Sequence, residues 1–194
     1  MKVVLVRHGE TIENREGICQ GQTEGRLSEL GVLQAWLTAG ELKNTNIDLC
    51  ISSDLKRAIE TAEIILTGRD IYIDKEPSLR ERNYGKLQGR HFSDFSITPD
   101  LMENMESEEE LKNRVSFIVR LLKRTPLSSN VLIVSHGITL RILILSLIEN
   151  SEKCDLVNSE KIDNCSITIL ERDDSGHFTI KEFNNTNHLK TNCL

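Results

Sequence analysis

The sequence predicts an α/β fold: a three-layer sandwich in which a mostly parallel central sheet is flanked by helices. Two observations carry that expectation. Apolar, β-branched runs alternate along the chain with stretches of helical period, the order expected of strand–helix–strand units. The first of these runs is also short and continuously apolar, as strands covered on both faces are.

In chain order, Lys2 to Val6 is the first strand, and it stops at Arg7, His8 and Gly9. Ser28 opens a helix carrying Leu30, Leu33, Leu37 and Leu42. Ile47 to Ile51 reads as a second strand. Asp54 is placed to cap a helix through Ala58 and Ile65, with Gly68 to close it. Ile71 to Ile73, ahead of Pro77, is a weaker third strand. Ser107 to Glu110 has the form of a capping box and opens a helix with the stripe Leu111, Val115, Ile118 and Leu122, ended by Pro126. Val131 to Val134 is a fourth strand, followed by the apolar helix Ile138 to Ile148. Ser166 to Leu170 and Phe178 to Phe183 close the fold as strands. No repeat or Pro/Gly/Ser-rich linker divides the 194 residues, so one domain over 1–194 is expected, with 90–106 as a short lid insertion.

The net charge of -6 argues against a nucleic-acid backbone as the main ligand, since that calls for a basic face. A small anion needs only local positive charge. No apolar run approaches membrane-spanning length, and the first is too short for a signal peptide. Cys19, Cys50, Cys154, Cys165 and Cys193 are scattered, odd in number and without a CxxC pair. They read as reduced thiols, and a cytoplasmic address follows. No His/Cys spacing fits a zinc site, so neither metal nor other cofactor is expected.

In parallel sheets, ligands bind beyond the carboxyl ends of the strands. Here the first strand ends in Arg7-His8-Gly9, the fourth in Ser135-His136-Gly137, and the second in Ser52-Ser53 with Arg57 one turn on. Three strand ends thus bring two histidines and two arginines to one sheet edge, which predicts an anion pocket. Each glycine lets the backbone approach a ligand, and each helix start offers N–H groups to a phosphate.

These residues carry a resemblance. Leu5 to Thr11 with Asn14 is similar to the signature of the histidine phosphatase superfamily, which includes the cofactor-dependent phosphoglycerate mutases; the chain resembles its phosphatase branch, the α-ribazole phosphatases and broad-specificity small phosphatases among them. The similarity continues through Gln20-Gly21 with Leu27-Ser28 and Gly31, Ser52 to Ala58 with Thr61-Ala62, Leu79-Arg80-Glu81 with Gly85 and Gly89, and Val134 to Gly137 with Arg141. Asn164 and His188-Leu189 also fall where relatives carry similar residues.

The resemblance implies a phosphoglycerate mutase-like fold and a phosphoric monoester hydrolase acting on a small phosphorylated metabolite. His8 would attack phosphorus and form a phosphohistidine, its other ring nitrogen donating to a carbonyl near Gly9. A neutral imidazole suits this role, because a serine would need a separate base. Arg7, Asn14, Arg57, His136 and Gly137 would bind the phosphate, whose oxygens need charge stabilisation above all. Glu81 is the candidate acid and base; Glu10, Glu76 and Glu106 lie in the same blocks. Gln20, Gly21, Arg26, Glu81 and His91 are candidates for substrate contact. Relatives often carry Asp and Pro where this chain has Glu24 and Arg26, and Arg26 reads best as a solvated loop charge. Met105 replaces a family glycine before Glu106-Ser107. The lid, with His91, Phe92, Phe95, Pro99, Met102 and Met105, is short beside that of the mutases. A short lid excludes water poorly and favours hydrolysis over mutase transfer. A phosphate-binding module without catalysis is the remaining alternative. The chain is expected as a monomer or homodimer, with neither nucleic acid nor membrane as partner.

Overall fold

A computed structural model describes residues 1–94, 103–148 and 152–190 of the chain. One six-stranded sheet runs through them in the order β3-β2-β4-β1-β5-β6. The strands are β1 (Lys2–Arg7), β2 (Leu49–Ser52), β3 (Ile73–Lys75), β4 (Asn130–Ser135), β5 (Ile167–Arg172) and β6 (Phe178–Asn185). The helices are α1 (Ile12–Glu16), α2 (Glu29–Glu41), α3 (Lys56–Ile65), α4 (Glu108–Arg124), α5 (Gly137–Leu147) and α6 (Cys154–Ser159). β1 to β4 are mutually parallel, while β5 runs antiparallel to β1 and β6 antiparallel to β5. The expected mostly parallel sheet is therefore present, with its antiparallel part at one edge.

The twofold alternation of strand side chains sorts the core into two layers. Val3, Leu5, Val131 and Ile133 face one way and pack with Ile118 and Leu122 of α4 and Leu140, Leu143 and Ile144 of α5. Val4, Val6, Leu132 and Val134 face the other way and pack with Ala58, Ala62 and Ile65 of α3. α5 is apolar around most of its circumference because α4 covers its outer side, where Ile142 meets Leu111 and Val115. Truncating a wholly buried leucine such as Leu132 or Leu143 to alanine should cost about 2–5 kcal/mol.

The predicted caps of α2 and α4 are in place: Ser28 accepts from the Gly31 N–H, and Ser107 forms a reciprocal box with Glu110. Asp54 does not cap α3, whose N-cap is Leu55 without a side-chain bond. The Asp54 carboxylate instead takes a bidentate pair from Arg80, at 2.7 and 2.6 Å, because two charge-assisted bonds outweigh one neutral cap. In α2 the buried positions are Gly31, Ala35 and Thr38, while Leu30 and Leu33 are each 49% exposed. The small residues, not the leucines, mark the inner face, because the helix backbone lies close against the loop after β1. The third strand also starts two residues later than expected, at Ile73. α1 is too short to show a period in the sequence, and it is held by a Thr11–Asn14 capping box. Of the expected lid, residues 90–94 and 103–106 are described, whereas Phe95, Pro99 and Met102 lie outside the described residues. Among the described residues no helix is long and apolar enough to cross a membrane.

Candidate active site

The ends of β1 and β4 lie side by side, so the loops that follow open onto the same edge of the sheet. The pairing persists past the strand: the His8 N–H donates to the Ser135 carbonyl at 3.0 Å, and the Cys165 N–H donates to the Arg7 carbonyl at 2.9 Å. Cys165 sits at φ 53, in the left-handed region that costs a side-chain-bearing residue about 1–2 kcal/mol. That turn lets the neighbouring Asn164 Nδ2 donate to the His8 carbonyl at 2.9 Å. On the other side, the Gly9 N–H donates to Thr61 Oγ1 of α3 at 3.1 Å. Gly9 and Gly31 permit the tight seat of this loop on α2. A Cβ on Gly31 would stand 1.9 Å from the Glu10 carbonyl oxygen, and one on Gly9 would stand 2.5 Å from that of Gly31.

His8 is buried, and its Nδ1 lies 2.7 Å from the Gly9 carbonyl oxygen. A carbonyl only accepts, so Nδ1 carries the hydrogen and Nε2 keeps its lone pair. Burial, then the nearby Arg57 and Arg7, hold its pKa well below the ordinary value of 6.5. The ring is therefore neutral near pH 7. The wholly buried His136 has its ring centroid 5.1 Å from that of His8. Its Nε2 lies 2.8 Å from Ser53 Oγ, and burial followed by Arg57 holds it neutral too.

Arg57 lies buried inside α3's first turn. Its Nη1 donates to the Thr23 carbonyl and its Nη2 to that of Gly21, at 2.8 and 2.7 Å. Arg7 Nη1 donates to the Ile162 carbonyl at 2.7 Å. Burial lowers both guanidinium pKa values, Arg57's to about 10, and both remain charged at neutral pH. Arg7 Nε, Arg57 Nε and His136 Nδ1 are buried and have no hydrogen-bond partner among the described residues. Three orphaned nitrogens within one charged cluster are the mark of a site built for an oxyanion.

The Glu81 carboxylate takes the place of a cap on α5. It accepts from the N–H groups of Ile138 and Thr139, each at 3.2 Å, and from that of Arg82 at 2.8 Å. The backbone beneath it is clamped by Arg114, which donates to the carbonyls of Ser78 and Arg80 at 2.8 and 2.9 Å and grips Glu106 with Nε and Nη2.

Arg7, His8, Asn14, Arg57, Glu81 and Gly137 all line one cavity of about 560 Å³. Gln20 and Gly21 line it as well, together with Tyr84, Phe92, Arg141, Lys161 and Asn164. Its volume holds a phosphate and a group of several atoms beyond it. Arg26 and His91, the other two substrate candidates, are not part of its lining. The Arg26 carbonyl pairs with the Ile12 N–H in the loop, and the exposed His91 turns its Nδ1 to Ser93 Oγ at 2.7 Å. Cys19 lines the cavity, but burial first and Glu81 second push its thiol up to about 11, so it offers no thiolate. Ser53, Thr61 and Arg114 received no role from the sequence. Their contacts reach segments far off in the sequence, which leaves no local pattern. His188 binds Thr38 Oγ1 and the Cys165 carbonyl, away from the cavity. Among the described residues no group of three His, Cys, Asp or Glu is arranged to hold a metal.

An arginine-walled, carboxyl-end cavity with an imidazole at its floor defines a class, the α/β enzymes that handle phosphoryl groups. Comparison with known proteins gives the family. The profile of the histidine phosphatase superfamily (branch 1) matches residues 3–186, and the chain belongs to that superfamily. It is 31% identical over 213 aligned positions to a probable phosphoglycerate mutase, GpmB, of Yersinia pestis (strain Pestoides F), covering 100% of this chain and 97% of the relative. Among solved structures, YhfR of Bacillus stearothermophilus is similar with a TM-score of 0.85, 28% identity and coverage of 97% and 99% of the two chains. The α-ribazole phosphatase of Shigella flexneri is similar with a TM-score of 0.83, 26% identity and coverage of 95% and 96%. The chain is thus an enzyme of phosphoric monoester chemistry.

Proposed function

We propose that the protein is a metal-independent phosphatase that hydrolyses a small-molecule phosphate monoester through a phosphohistidine on His8. The observation that carries this reading is the 2.7 Å bond from His8 Nδ1 to the Gly9 carbonyl, which leaves Nε2 as a fixed, unprotonated nucleophile beside two guanidinium groups. Nε2 attacks phosphorus in line, and the P–N bond forms as the bond to the leaving oxygen breaks. Arg7 and Arg57 stabilise the equatorial oxygens, the service a divalent cation gives elsewhere. Ser53 Oγ accepts from the Leu55 N–H and has its own hydrogen for His136 Nε2, so that ring carries its hydrogen on Nδ1 as a neutral donor. Asn14 and the Gly137 N–H complete the set. Glu81 gives its proton to the leaving oxygen, then takes one from the water that cleaves the phosphohistidine and releases phosphate.

The similarity to the α-ribazole phosphatase supports hydrolysis; the similarity to GpmB favours a second reading, mutase transfer between hydroxyls of phosphoglycerate. A panel of phosphorylated metabolites without added metal tests the first reading. Wild type should release phosphate, and His8→Ala should lose turnover while keeping part of its phosphate affinity. With 3-phosphoglycerate and a bisphosphoglycerate primer, isomerisation faster than phosphate release would decide for the mutase.

A further inference from the structure

We propose that the part of the cavity lined by Arg141 and Lys161 is a second anion site, in which these two side chains bind another acidic group of the substrate, a carboxylate or a further phosphate. The proposal rests on the phosphatase reading for its first anion and names the class of ester that fits the rest of the cavity. Arg141 lies on α5 one turn beyond Gly137, about 6 Å along the helix axis. Gly137 itself meets the Arg7 guanidinium, which a Cβ there would approach to 3.6 Å. A substrate held by Arg7 can therefore reach Arg141 across a short carbon spacer.

The segment 160–162 is held between the two arginines. Arg141 Nη2 donates to the Glu160 carbonyl at 2.7 Å, and Arg7 Nη1 to the Ile162 carbonyl at 2.7 Å. Between those anchors Lys161 lines the cavity, and its ammonium makes no ion pair among the described residues. Arg141 Nε is buried with no partner among them. Two cations with donors to spare thus stand beyond the phosphate cluster, in a chain whose net charge is -6. The cavity's carboxylates do not neutralise them. Glu81 is held by the start of α5, and Glu10 accepts from Ser28 Oγ at 2.6 Å.

Calorimetric binding of three non-hydrolysable phosphonates tests this: propylphosphonate, 3-phosphonopropionate and propane-1,3-bisphosphonate. Wild type should bind one or both doubly charged compounds about tenfold more tightly than propylphosphonate, as one or two added charge-assisted bonds imply. Lys161→Met touches no backbone bond and should remove most of that preference with propylphosphonate affinity unchanged; Arg141→Gln should do the same. Equal affinities in wild type, or variants that weaken all three compounds alike, would overturn the second site. Phosphate release from p-nitrophenyl phosphate is measured alongside. Its absence would sink the hydrolase reading and leave the binding preference to decide the second site.

Discussion

The rings of His8 and His136 stand 5.1 Å apart, and each is fixed by a different partner, the Gly9 carbonyl for one and the Ser53 hydroxyl for the other. Both are neutral in the fold, with pKa values well below 6.5. Above pH 6.5 the folded and unfolded chains both carry neutral rings, so this pair adds no slope. Below it the unfolded chain takes up protons that the folded one refuses, and stability falls as pH falls. The midpoint of thermal unfolding should therefore decline as pH drops under 6.5, and His8→Asn should flatten that decline. A wild-type profile that is level there, or identical in the variant, would contradict the neutral pair.

Gly31 presses on Glu10 so closely that a methyl group has no room. Gly31→Ala should destabilise the protein by about 2 kcal/mol or more, because the obstacle is backbone and cannot rotate away. It should also lower kcat/KM by displacing the loop that carries His8. Denaturant unfolding read beside steady-state kinetics checks both; an unchanged midpoint would show that α2 shifts freely.

Arg57→Lys retains the charge but loses the fork that holds the Thr23 and Gly21 carbonyls together. kcat/KM should fall about a hundredfold or more, the usual scale for one preorganised donor. An activity within a few-fold of wild type would mean that point charge alone suffices.

Arg114 and Glu106 form a half-buried pair whose work is to hold the strand of backbone beneath Glu81. Arg114→Leu should cost about 3 kcal/mol, since it takes a donor from the Glu106 carboxylate and from each of three carbonyls, those of Ser78, Arg80 and Glu81. Glu106→Leu added to it should recover part of that loss, a non-additivity visible in a double-mutant cycle. Simple summation of the two single losses would remove the coupling.

The chemistry-bearing loops were legible because each follows a strand whose burial leaves an unmistakable apolar run. Arg7, His8, Arg57 and Gly137 reach one cavity as the strand-end rule requires, and Glu81 joins them from the block that the family resemblance marked. What escaped was decided between distant segments. Asp54 has the local form of a cap, yet Arg80, 26 residues on, offers it a better bond. Leu30 and Leu33 follow a helical period, yet the glycine contact at position 31 turns that stripe outward. Arg26, which read best as a solvated loop charge, and His91 are not part of the cavity lining, a matter of loop path that spacing does not encode. Strand order is likewise set by long-range pairing rather than by any one run.

That order has a consequence for synthesis. β1 and β2 do not touch each other; β4 wedges between them and bonds to both. A nascent chain ending before residue 130 thus carries His8 just after β1 and Arg57 at the start of α3, with no strand to pair β1 to β2. Pairing across so long a separation is slow, and the unpaired edges stay open to other chains meanwhile. The anion pocket can close only late, after the fourth strand has left the ribosome.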